Sequence, residues 1–545
     1  MTTMLPCDMV FERDVALTMR DGTTIYTDVF RPVGEGRHPA IVAWSPYGKE
    51  IGGSWLDDLP DRSGVPLDWV SELQKFEAPD PAFWVNHGYA VLNPDPRGAY
   101  KSEDDLNFWG KQLAEDGYDF IEWAAAQPWS NGKVGMAGNS WLAASQWFIA
   151  TEQPPHLAAI APWEGFCDCY RDVAMRGGLP MTAFPEVILT TFAGENLAED
   201  LPRIRIPAYV VASYTNHAHT HGTFAAFRGL ASKEKWLRVN NTNEWLDFYT
   251  PKYTAELLQF FNRYLKDEQN GWEATPRVRI CVLDDGHEDI VDRAEADFPL
   301  PQTEYKPLYL QANQLSDNPL AAADTLSYDA LQGCAEFSYQ FAADTELTGY
   351  MKLKLWVQAD GSDDMELAVT VEKRNADNQV FVRTLGEGVQ SPAQATDYLR
   401  VSQRALDTAR STPSEPYLTF NQPQPLGAGE IVPIEIGIWP MAMRFHKGEK
   451  LVLTVKPHTP VPTDMDMGFG SAKIPVPVDV ETFHAGENVK LRLLGGSLQT
   501  DPAFVKEQLT ATPQSRNQGK HIIHFGGQYD SHLLIPVNPT STNAR

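Results

Sequence analysis

The sequence predicts two domains: an α/β domain with a mostly parallel sheet, then an antiparallel β-sandwich of jelly-roll type. Three observations predict this. Up to about residue 300, short apolar runs alternate with segments of helical spacing, the pattern of a parallel sheet covered on both faces. Beyond the Pro-rich stretch "DFPLPQTEYKP" come alternating apolar and polar segments ("GYMKLKLWVQAD", "MELAVTVEKR", "IVPIEIGIWP", "KLVLTVKP", "NVKLRLLGG") with no comparable helix between them. A chain of 545 residues also exceeds what one core organises, and 43% hydrophobic residues supply apolar surface for two. The expected division is 1–300 and 301–545.

The elements follow in order. "DVALTMRDGTTIYTDVFRP" alternates across an Asp-Gly turn and reads as a β-hairpin. "PAIVAWSPYG" and "YAVLNPDPRG" are short apolar runs closed by turn residues, suited to buried strands. "AEDGYDFIEWAAAQPW" has helical spacing and stops near Pro128. "GKVGMAG" is a strand and "SWLAASQWFIATEQ" the helix after it. "LAAIAPWEG", "IPAYVVASYTN" and "KWLRVN" are further strands, the last being the final one before the helix "TAELLQFFNRYLKD". Two long insertions, 51–83 and 163–205, are expected to cap the sheet and shape a pocket.

Lys and Arg number 45 against 72 Asp and Glu, a net charge of −27 that argues against nucleic acid and anionic membranes as partners. No apolar run reaches the roughly 18 residues a membrane helix needs. The stretch "MTTMLPCDMVFERDVAL" lacks a secretory pattern, so a cytoplasmic location is expected. The five cysteines (Cys7, Cys167, Cys169, Cys281, Cys334) are too few and too scattered for a disulfide framework. Cys167 and Cys169 lack the second pair that structural zinc wants, and no metal is expected. The oligomeric state, a homodimer included, stays open.

Chemistry concentrates in "KVGMAGNSWLAASQW" (Lys133 to Trp147). A strand, a sharp turn and a helix present Ser140, with Gly138 two residues before it, as in the nucleophile elbow of an α/β-hydrolase. The usual second glycine is absent: Leu142 holds its place and Ala143 follows. The competing reading makes Ser140 an ordinary helix N-cap.

Long segments resemble one family. "NPDPRGAYKSE", "AEDGYDFIEWAAAQPWSNGKVGMAGNSW", "APWEGFCDCYRDVAMRGG" and "WPMAMRFHKGEKLVLTV" are similar to the cocaine-esterase and X-Pro dipeptidyl-peptidase family of serine hydrolases, over about residues 13 to 537. The resemblance implies an α/β-hydrolase core with helical cap insertions and a C-terminal jelly roll packed beside the active site. It implies cleavage of carboxylic esters or amides without metal or organic cofactor. It places Ser140 at the nucleophile, with the Trp141 backbone N–H and the Tyr47 hydroxyl as oxyanion donors.

The partners of Ser140 depart from that pattern. The family's aspartate aligns with Asn216, and its histidine with Asn240 or, as the alternative, Glu244. No Asp or Glu lies between Asp200 and Glu234, and no His between His221 and His287. An amide is not basic at neutral pH and cannot take the serine proton. Three readings stay open. One of His217, His219 and His221 serves as a rewired base. Or the protein binds without catalysis. Or the pocket runs a cyclase, lyase or retro-aldol reaction that needs only an oxyanion hole. Trp44, Trp163 and Phe166 are candidates to line an aromatic pocket for a small, largely apolar substrate. Glu164 is a carboxylate beside it, either a base raised in pKa or a residue locked in a structural pair. Arg97 and Asp95 are expected to tie a strand end to the next helix.

Overall fold

The computed structural model describes residues 8–49, 56, 60–106, 109–180, 196–216, 218–384, 390–391, 393–458, 489–491, 496–498 and 516–539. Cys7, His217 and the stretch 181–195 of the second insertion lie outside the described residues.

The first sheet is built from β1 (Met9–Thr18), β2 (Thr24–Pro32), β3 (His38–Val42), β4 (Ala90–Asp95), β5 (Ser130–Asn139) and β6 (Leu157–Trp163). A two-residue hairpin, β7 (Met175–Arg176) with β8 (Leu179–Pro180), interrupts it. It resumes with β9 (Ala208–Ser213), β10 (Lys235–Asn240), β11 (Val278–Val282) and β12 (Ile290–Glu295). The spatial order is β1-β2-β4-β3-β5-β6-β9-β10-β11-β12, parallel from β4 to β11 and antiparallel at both edges. Every residue of β4, β9 and β11 is buried, as a sheet covered on both faces requires.

β10 is therefore not the final strand, which corrects the sequence reading. The run "VRICV" was missed because Arg279 interrupts it. In the fold Arg279 is neutralised in place: its guanidinium pairs with Glu256 on the helix Pro251–Leu265 and with the Tyr209 hydroxyl.

Among the described residues the C-terminal domain is a β-sandwich built on one eleven-stranded sheet between Glu304 and Asn538, antiparallel apart from one contact between Gln314 and Ser338. Its longest strand, Thr345–Asp360, pairs with Val432–Phe445, whose first half alternates buried residues with half-buried or exposed ones as one covered face dictates. The two domains join directly. Leu283 exchanges backbone hydrogen bonds with Ala442 and Arg444, and the helix Thr220–Gly229 meets the sandwich through Arg228, which pairs with Glu415. Among the described residues no helix is long and apolar enough to cross a membrane.

Candidate active site

Strand order assembles the site. Along β3-β5-β6-β9-β10 the residues at the C-terminal ends fall in spatial sequence: Tyr47, Ser140, Glu164, Asn216 and Asn240. The carboxyl edge of a parallel sheet is where open α/β folds bind ligands.

Ser140 sits at φ 51°, ψ −114°, a strained conformation for a side-chain-bearing residue. Gly138 makes the turn feasible, because its φ is +139° and an added Cβ would lie 2.6 Å from Leu142 Cβ and 2.8 Å from the Glu77 carbonyl oxygen. The missing second glycine is replaced across the interface: Gly165 gives the helix Trp141–Thr151 its clearance, since a Cβ there would lie 2.9 Å from Ala143 Cβ. The Ser140 N–H donates to the carbonyls of Trp163 and Glu164, at 3.3 and 3.0 Å. Its Oγ makes no capping bond to the helix, so the N-cap reading fails and the hydroxyl is left to face the pocket.

Two ångström-scale contacts define that hydroxyl. His219 Nε2 stands 3.1 Å from Ser140 Oγ, and the Tyr47 hydroxyl also hydrogen-bonds Ser140. His219 is delivered by Asn216, whose Oδ1 accepts from the N–H groups of Ala218 and His219 at 3.0 and 3.2 Å, turning the chain into the helix Thr220–Gly229. Gly222 lets this helix approach the segment Phe166–Asp172: a Cβ there would lie 2.6 Å from Phe166 Cα. The His219 ring stacks on Phe166 at 5.8 Å between centroids, and its Nε2 is 3.6 Å from Glu244 Oε2. Burial pushes its pKa down to about 3, against a weaker upward pull from Asp172. The Nδ1 atom has no hydrogen-bond partner among the described residues.

The two amides have a clear physical task. Asn240 Nδ2 donates to Glu164 Oε1 at 2.7 Å, and Asn216 Nδ2 donates to Glu164 Oε2 at 3.1 Å and Glu244 Oε2 at 3.0 Å. Ser213 adds a third donor at 2.9 Å. An aspartate at 216 could make the turn but could not donate, and would set a third carboxylate between Glu164 and Glu244. Glu164, fully buried at φ 55°, is thus held by donors, yet burial outweighs them and lifts its carboxyl to about 7.

The chain is similar to known proteins along most of its length. Residues 21–196 match the X-Pro dipeptidyl-peptidase (S15 family) domain, and residues 270–467 match the X-Pro dipeptidyl-peptidase C-terminal non-catalytic domain. A CocE/NonD family hydrolase from Staphylococcus aureus has a structure with TM-score 0.82 and 33% identity, covering 97% of this chain and 94% of that one. The chain belongs to this hydrolase family. The cocaine esterase of a Rhodococcus species is 25% identical over 377 residues, 54% of this chain and 62% of that enzyme, so the match spans less than two thirds of the relative. An aminopeptidase from a Thaumarchaeota archaeon of marine sediment shares the fold at TM-score 0.68 and 15% identity, covering 98% of this chain and 97% of that one.

Against the family's fold, several expected site residues stand elsewhere. Trp44 and Trp163 pack in the core, Trp44 against Phe120 and Trp163 against Tyr209 and Phe248, and so do not line a pocket. Phe166 does reach the site, and Trp109 joins it: its ring lies 4.5 Å from Phe166 and 4.1 Å from Trp141. His221 is turned away from Ser140. Its Nδ1 lies 2.6 Å from Asp172 and its ring stacks on Trp439 of the C-terminal domain; burial opposes its charged form, but Asp172 prevails and raises its pKa. Arg97 does tie the strand end to the helix Lys111–Ala125 through Asp116, whereas Asp95 accepts the Lys49 N–H.

Glu77 was missed by the sequence reading. It enters from the insertion 51–83 because Lys75 two residues earlier plugs the sheet edge, donating to the carbonyls of Ala43, Ser45 and Pro94. The Glu77 carboxyl accepts from Trp245 Nε1 at 3.0 Å and bonds the Tyr47 hydroxyl; burial lifts its pKa to about 8. No local motif marks it, since its role arises from a charge anchored elsewhere.

Glu164 carries a stability signature. A carboxyl with a folded pKa above its unfolded value costs nothing below about pH 4.5 and progressively destabilises the fold as pH rises through about 7. The rise from 4.5 to about 7 corresponds to ~3 kcal/mol. Glu164→Gln is therefore expected to flatten the decline of the urea midpoint between pH 5 and pH 8 (about the window the shift spans). A variant with the full wild-type slope would remove Glu164 as its source.

Proposed function

We propose that this protein is a serine hydrolase cleaving a carboxylic ester, lactone or amide of a small, largely apolar molecule. One observation carries the reading: the 3.1 Å approach of His219 Nε2 to Ser140 Oγ, within reach for proton transfer. The base comes from the loop after β9, the place of the family's acid, rather than from the loop after β10. Ser140 Oγ attacks the substrate carbonyl carbon while its proton passes to His219 Nε2. The oxyanion is met by the Tyr47 O–H and by the Trp141 N–H, which opens the helix Trp141–Thr151 with its positive dipole end. The imidazolium faces Glu244 at 3.6 Å. Collapse of the tetrahedral intermediate expels the alcohol or amine, which takes the proton back from His219, and water repeats the sequence on the acyl-enzyme. The rings of Tyr47, Phe76, Trp109, Trp141 and Phe166 support an apolar substrate. The ester named for the Rhodococcus relative supports the bond type.

A fluorophosphonate probe tests the reading. Stoichiometric labelling at Ser140, lost in Ser140→Ala, is the expected result. An unlabelled protein whose activity survives Ser140→Ala would overturn it. That second outcome would favour non-hydrolytic chemistry in the same pocket, for which one observation speaks: no carboxylate among the described residues accepts from His219 Nδ1 to orient the ring.

A further inference from the structure

The seam between the two domains carries a second cluster of reactive side chains, made of residues other than those around Ser140. Leu283, just after β11, pairs with the C-terminal domain: its N–H donates to the Ala442 carbonyl and its carbonyl accepts from the Arg444 N–H, both at 2.9 Å. This pairing sets Asp284 and His287 of the first domain beside His446 of the second. One carboxylate oxygen and one nitrogen from each ring lie within 4.8 Å of one another. The two imidazoles are 4.0 Å apart between centroids, and His446 Nε2 is 2.9 Å from Asp284 Oδ2. Behind them, the buried Lys373 ammonium donates to Asp284 Oδ1 at 2.8 Å and pairs with Glu449 Oε2 at 2.9 Å. The free end of Glu449, Oε1, points back to His287 Nε2 at 3.7 Å.

We propose that Asp284, His287 and His446 bind a divalent transition-metal ion of the zinc class, with Glu449 closing the fourth position, and that the ion pins the two domains together. Three arguments support it. Two imidazoles and a carboxylate form a donor set for borderline metals, whereas calcium and magnesium take oxygen ligands. The carboxylate is held from behind by Lys373, which fixes its orientation as outer-shell partners of metal ligands do. The charges also leave room for a cation: Asp284 and Glu449 share the single Lys373 ammonium, so with neutral imidazoles the cluster carries one uncompensated negative charge.

The test uses the full chain, stripped with a chelator and dialysed. Titration with Co²⁺ is expected to give the visible absorption of a nitrogen- and oxygen-ligated four-coordinate ion, saturating at one equivalent and displaced by Zn²⁺. Zn²⁺ is expected to raise the Tm, with no rise from Mg²⁺. His287→Ala and His446→Ala are each expected to weaken Co²⁺ binding at least about tenfold, because each removes one ligand of the set. Absence of a saturable Co²⁺ spectrum in the wild-type protein would overturn the proposal whatever the variants do. So would a spectrum unchanged in the two variants, since the ion would then sit elsewhere. The site is independent of the hydrolytic reading: His287 and His446 lie outside the Ser140 machinery, and the metal-free variants should retain the basal activity.

Discussion

His219→Ala is expected to lower kcat on a small aryl ester by about 10⁶-fold, and Ser140→Ala by as much, with the double variant no slower than either single one. The non-additivity follows from the geometry: a hydroxyl without its base and a base without its hydroxyl are equally idle. The control is His221→Ala. That ring bonds Asp172 and stacks on Trp439, so most activity should remain. The pH profile gives a second check. A general base must be deprotonated to act, and burial lowers His219 to about 3. The acid limb of kcat/KM should therefore fall well below the usual histidine range, not near pH 6.5 (about the free imidazole value). A His219→Ala variant within about tenfold of wild type would eliminate His219 as the base and return attention to Glu164 or Glu244.

What the sequence made legible follows the range of each interaction. The elbow is local, a strand, turn and helix, and "GMAGNSW" displays it. The histidine cluster in "TNHAHTHG" was visible, but choosing His219 over its neighbours needs the Asx turn at Asn216, which points residue 219 inward and residue 221 toward Trp439. The amides at Asn216 and Asn240 looked like losses when set against a Ser-His-Asp pattern. In three dimensions they are donors to Glu164, a residue whose partners come from β9 and β10. The alternation that revealed most strands failed at β11, where a buried ion pair breaks the apolar run. Trp44 and Trp163 stand at strand ends, and a place in the sequence does not tell which face of the sheet a side chain takes. Glu77 and Asp172 had no local signal at all.

Tyr47→Phe is expected to lower kcat by about 10²–10³-fold, or roughly 2.7–4 kcal/mol of transition-state stabilisation, with little change in KM. The reason lies in which proton the phenol can spend. The Tyr47 hydroxyl is flanked by Ser140 and the Glu77 carboxyl. While Glu77 is protonated it can donate to the phenol oxygen, and the phenol O–H is directed at the position where the oxyanion forms. Once Glu77 ionises it becomes an acceptor only, and it competes for that same O–H. Because burial places this ionisation at about 8, activity should decline as pH rises through that value. The phenol itself cannot cause the limb, since burial, with Glu77 beside it, raises its pKa well above the ordinary tyrosine value. Glu77→Gln, which offers an amide donor at every pH, is expected to remove the alkaline limb while keeping most of the activity at neutral pH. If the limb persists in Glu77→Gln, the carboxyl does not govern the phenol. If it also persists in Tyr47→Phe, the limb belongs to another group, and the oxyanion then rests on the Trp141 N–H without a pH-gated partner.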